Sequence, residues 1–143
     1  MRIFSYKFLL LLMGFITIVA TDVVLVRFNA TVQSTGPSEI QLNWVVSQEK
    51  DVDFYSVRRK MSHQTDFQEL ADIQLNEGVD NLDGRIYQYT DKNVFKTTST
   101  AEPVIYALYA IKGGSSKFVA QVDVNYTTTT VRRTWGSIKA MFQ

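Results

Sequence analysis

Residues 103–126, PVIYALYAIKGGSSKFVAQVDVNY, decide the fold. Two apolar-rich stretches, PVIYALYAIK (103–112) and KFVAQVDVNY (117–126), flank GGSS, and the second sets Phe118, Ala120, Val122, Val124 and Tyr126 at alternate positions. A spacing of two puts those five side chains on one face of a β-strand, and a glycine-rich link between two such runs makes a hairpin. The segment therefore predicts two antiparallel strands with one face turned to a core.

The same period runs upstream. Val24, Val26, Phe28, Ala30 and Val32 are predicted to share one face of a first strand, with Arg27, Asn29, Thr31 and Gln33 among the residues of the other. STGPS (34–38) cannot continue a strand, and beyond it Ile40, Leu42, Trp44 and Val46 alternate with Gln41 and Asn43. FYSVRRK (54–60) turns Tyr55 and Val57 one way and Arg58 and Lys60 the other, and DFQELADI (66–73) and RIYQYTD (85–91) follow as short runs between polar turn-formers. Seven short strands, with no long helical period over residues 22–126, predict an all-β, antiparallel, two-sheet sandwich. A small barrel shares that periodicity. No internal repeat is visible.

Five pieces in order resemble a fibronectin type III domain: the tryptophan of IQLNWVV (40–46), YSVRR (55–59), FQELADI (67–73), YQYTD (87–91) and YALYAIKGGSS (106–116). The likeness spans about residues 23–126 and is nearest the divergent form found in exported bacterial proteins. It implies an immunoglobulin-like sandwich of seven strands with an interaction or accessory role. Two departures limit what it implies. No proline-rich lead-in precedes the first strand, and the loop Lys112–Gly113–Gly114–Ser115–Ser116 lacks Arg-Gly-Asp, so integrin-type adhesion is not carried over.

The 143 residues suit one domain with one core. At the N-terminus, Arg2 and Lys7 precede an uncharged apolar run from Phe8 to Val19 that ends at Ala20, the layout of a secretory signal peptide. The run is shorter than the roughly 20 residues a membrane-spanning helix needs. A signal helix over 1–20 with cleavage near Ala20 is expected, followed by a sandwich over 21–126, and the mature protein is expected outside the cytoplasm, secreted or at the cell surface or periplasm. Cleavage would remove two basic residues and no acid, turning the formal charge from +1 to −1. A near-neutral chain has no overall attraction to nucleic acid. There are no cysteines, so disulfides, thiolate catalysis and thiolate metal sites are excluded.

No catalytic constellation stands out, and no cofactor or metal is expected. His63 is the only histidine, and a general base or a metal site needs partners that its segment MSHQTD does not supply. Asp80, Asp83 and Asp91 superficially suggest calcium, but Leu82 sits where an EF-hand loop needs a ligand, and soluble loop residues explain them better. Asn29-Ala-Thr31 and Asn125-Tyr-Thr127 fit the glycosylation pattern, on predicted strands. Trp44, Tyr55, Tyr87, Tyr89 and Tyr106 fall at positions a sandwich buries, which leaves Phe54 and Tyr109 as outward aromatics, too few for a sugar platform.

The chain closes on TTTT (127–130) and VRRTWGSIKAMFQ (131–143). At about 100° per residue Trp135, Ile138 and Phe142 lie within roughly 60° of one another, and Arg132, Arg133 and Lys139 add three positive charges with no acid among residues 131–143. These six residues are the candidate partner-binding set. Such a tail either plugs the sandwich or docks on a protein partner; as a membrane anchor it would give only weak, reversible attachment. The function expected is a non-catalytic, exported protein-interaction or assembly module, or alternatively a surface module binding polysaccharide or another envelope ligand. The partner's identity and the oligomeric state are not legible.

Overall fold

The computed structural model describes residues 21–33, 39–94 and 103–125. The expected signal segment 1–20, the turn 34–38 and the tail from Tyr126 onward, with all six candidate tail residues, lie outside them. Within them, strands β1 (Asp22–Gln33), β2 (Glu39–Lys50), β3 (Phe54–Met61), β4 (Gln68–Gln74), β5 (Val79–Asn81), β6 (Gly84–Asp91), β7 (Pro103–Lys112) and β8 (Ser115–Asn125) form two antiparallel sheets, ordered β1-β2-β6-β5 and β4-β3-β7-β8. The sheets face each other across one apolar layer, as the alternation requires.

The β7–β8 hairpin is tighter than its sequence suggests. Lys112 pairs with Ser115, so the loop is Gly113 and Gly114 alone, both with positive φ (54° and 81°). This is the backbone that a two-residue hairpin turn demands. Asp53 pins the turn, accepting the Gly113 amide at 2.8 Å and the Lys112 ammonium at 2.9 Å. The amide first, and the ammonium next, hold the Asp53 carboxyl below the usual carboxylate range.

β-Bulges overturn two sequence expectations. In the β1–β2 pairing Ser47 and then Val26 are skipped, and the register resumes unchanged beyond them. An extra residue resets which face alternate side chains take. Val23 and Leu25 therefore join Phe28 and Ala30 against the core, while Val24 and Val26, expected on the same face as Phe28, are 45% and 53% exposed. In β8, Leu108 pairs with Ala120 but Tyr109 with Phe118, so Val119 is the extra residue and Phe118 turns to the outer face. Phe118, expected inward, is half-exposed.

An eighth strand was also not foreseen. β5 is three exposed residues, paired with β6 across a turn that closes at Gly84. Gly84 has φ 131°, and a Cβ there would run into the Val46 carbonyl, so only glycine fits.

The core centres on aromatics. Trp44 stacks on Tyr87 with ring centroids 5.4 Å apart and meets Tyr55 edge-on at 6.0 Å, and all three are buried. Truncating a buried aromatic loses transfer free energy and leaves a cavity. Trp44→Ala is expected to lower the unfolding free energy by about 3–5 kcal/mol in a denaturant titration. A loss below about 1 kcal/mol would contradict this packing.

Candidate functional site

Two groups of polar and aromatic side chains stand out, and they do different things. At one end of the sandwich Glu49 of β2 reaches between the sheets. Its Oε1 accepts from Arg85 Nη1 at 3.0 Å, its Oε2 from the Tyr55 hydroxyl at 2.9 Å, and the Tyr87 hydroxyl lies 2.9 Å from both. Arg85 also donates to Asp80 at 2.9 Å. A cavity of about 490 Å³ opens beside Glu49, Asp80 and Arg85. The carboxylate is held by three donors on β3 and β6, so this group ties the sheets together.

Asp91 belongs to a similar brace. It ends β6, is buried, pairs with Arg59 and accepts from Tyr106 at 2.9 Å. This corrects the reading of Asp91 as a soluble loop residue. Asp80, in contrast, is an exposed strand residue paired with Arg85. The aspartates do not converge, and among the described residues no three His, Asp or Glu side chains are placed to hold a metal ion. His63 is exposed in the turn between β3 and β4.

The second group lies on the outer face of the β4-β3-β7-β8 sheet. Alternation sends Tyr55, Val57, Arg59 and Met61 of β3 inward, and Phe54, Ser56, Arg58 and Lys60 outward. From β7 Tyr109 points out between Phe67, just before β4, and Phe118 on β8, with ring centroids 6.5 and 5.7 Å away. Both neighbours stand edge-on, at 73° and 76°. The Arg58 guanidinium sits 4.2 Å over the Tyr109 ring, and the Lys60 ammonium 5.0 Å from the Phe67 ring. These are cation–π distances. Arg58 also reaches Ser56 and Ser116 at 3.4 Å.

Beneath these side chains Ser56 and Ala107, which also point outward, are buried. The outer face is thus a packed second layer. Sequence reasoning placed Phe54, Tyr109, Arg58 and Lys60 on it. It missed Phe118, hidden by the bulge, and Phe67, which precedes its strand and carries no period.

Two four-stranded antiparallel sheets in this order define an immunoglobulin-like sandwich of the fibronectin type III kind. One solved structure bears that fold out. The chain is similar to the fibronectin type III domain of human contactin 1, with a TM-score of 0.53 and 15% identity over 80% of this chain and 89% of that one. An Fn3-like protein from Clostridium thermocellum matches at a TM-score of 0.46 and 17% identity, over 76% of this chain and 95% of that one. A fibronectin type III domain of human collagen XX matches at 0.46 and 9%, over 76% and 93%. No family model matches the chain, and no curated protein does. The likeness is one of fold. Among the described residues no helix is long and apolar enough to cross a membrane.

Proposed function

We propose that this chain is a non-catalytic, exported module that works by binding another protein, through the outer face of its β4-β3-β7-β8 sheet and through its basic-aromatic tail. The observation that carries this reading is the edge-to-face packing of Phe67, Tyr109 and Phe118 under Arg58 and Lys60. A platform for sugar rings presents aromatic faces in one plane, and these planes stand 73° and 76° apart. Aromatic and arginine side chains are what protein interfaces enrich. The tail residues Arg132, Arg133, Trp135, Ile138, Lys139 and Phe142 act as a second contact of the same sign. The leader directs export, and the folded domain needs no disulfide to persist there.

The test is a comparison on one truncated chain. Ending the protein after Thr130 is expected to leave the thermal unfolding midpoint nearly unchanged while capture of the partner from the native host falls sharply, and Trp135→Ala should reproduce most of that loss. If truncation instead lowers stability by several kcal/mol, the tail is a plug of the sandwich and its docking role is wrong.

A further inference from the structure

We propose that the outer face around Arg58 and Phe118 takes a short acidic-apolar polypeptide segment, one or two carboxylates lying against Arg58 and Lys60 and an apolar side chain against Phe118. This rests on the protein-binding reading above and names the chemistry of the partner. The charge pattern carries it. Glu69 is the cross-strand neighbour of Arg58, yet the two form no ion pair; the guanidinium swings to the opposite side, over Tyr109 and toward Ser116. Among the described residues neither Arg58 nor Lys60 makes a salt bridge, whereas Arg59 and Lys112 each have one and Arg85 has two. With a ring behind its plane, only 3.4 Å contacts from Nε and Nη2 to the Ser56 and Ser116 hydroxyls, and no carboxylate at its edge, Arg58 keeps N–H donors for an incoming carboxylate. Arg58 and Lys60 are alternate residues on one strand face, with Cα atoms about 7 Å apart, and their charged groups lie over neighbouring rings, Tyr109 and Phe67.

The rim sets the limits. Glu69 and Asp72 line the β4 side and Asp123 lies on β8 level with Lys60, while Ser116 and Gln121 leave the β8 side neutral around Phe118. A long polyacidic run would meet those three carboxylates, so the face selects a few acids set among apolar residues. Phe118, half-exposed and edge-on to Tyr109, supplies the apolar contact. A sulfated polysaccharide would also be drawn to Arg58 and Lys60, but it would leave Phe118 without a partner.

The test titrates the ¹⁵N-labelled full chain with a synthetic peptide of alternating glutamate and leucine, with its glutamine counterpart, and with heparin. Amide shifts from the glutamate peptide should cluster at Arg58, Tyr109 and Phe118 and fade with added salt. Arg58→Gln and Phe118→Ser, both at solvent-facing positions, should each weaken binding about tenfold or more. Phe118→Ser keeps the test decisive if Arg58→Gln loosens the face. Equal binding of the glutamine peptide, shifts confined to another surface, or heparin as the tighter ligand would overturn the proposal. If the peptide fails to bind while capture of a host protein persists, this inference falls and the protein-binding role stands. If capture survives both face variants and tail truncation, that role falls too.

Discussion

Asp91→Ala is expected to destabilise the sandwich by about 3–5 kcal/mol, because it strands the Arg59 charge in the core. Arg59 is 7% exposed and Asp91 2%, and their ion pair links β3 in one sheet to the end of β6 in the other. Asp91 also accepts from the Tyr106 hydroxyl at 2.9 Å and from the Asn93 amide at 3.0 Å. Removing the carboxylate leaves the buried Tyr106 hydroxyl and the Arg59 cation with nothing to answer them. Removing both charges is a different matter. Burying an ion pair costs desolvation that its attraction only partly offsets, so Arg59→Met with Asp91→Leu should recover most of the loss. Chemical denaturation of the single and double variants decides it. A single variant within about 1 kcal/mol of wild type would show that the pair is solvated and that the brace does not hold the sheets.

That pair also shows where the sequence was readable and where it was not. Alternation along YSVRRK put Arg58 and Lys60 outside, which leaves Arg59 on the inward side, but nothing local named Asp91, 32 residues away, as its partner. Seven of the eight strands and the buried aromatics were legible because a period of two repeats over many residues. The three residues of β5 are too few to show a period, and a single bulge reverses the period beyond it without leaving a compositional mark. Both failures of facing, at Val24 and Val26 and at Phe118, have that one cause. The consequence is functional, since the bulge at Val119 is what adds Phe118 to Tyr109 and makes a surface out of an isolated ring.

Stability is expected to collapse steeply above about pH 10. Burial, before any other cause, pushes the Tyr55, Tyr87 and Tyr106 hydroxyls far above the ordinary tyrosine range. The next contributions reinforce it, because Tyr55 and Tyr87 donate to the Glu49 carboxylate and Tyr106 to the Asp91 carboxylate, and a phenolate in any of these places would face a negative charge. Below pH 10 folded and unfolded chains both keep these protons, so the full stability is present. Above it the unfolded chain releases three protons that the folded chain retains, and stability falls with each further unit of pH. Three protons correspond to a slope of about 4 kcal/mol per pH unit, enough to exhaust the roughly 5–15 kcal/mol of an ordinary domain within a few units. The chain has seven tyrosines, so it is the part of the tyrosinate absorbance removed by Tyr55→Phe, Tyr87→Phe and Tyr106→Phe that should rise together with loss of the β-sheet circular dichroism signal, in one transition. Tyr106→Phe keeps the ring and removes one of the three protons, which should flatten the slope by about a third. If the absorbance that these three substitutions remove appears near pH 10 while the sheet signal persists, the three hydroxyls titrate in the folded chain and the two carboxylates are not closed off by them.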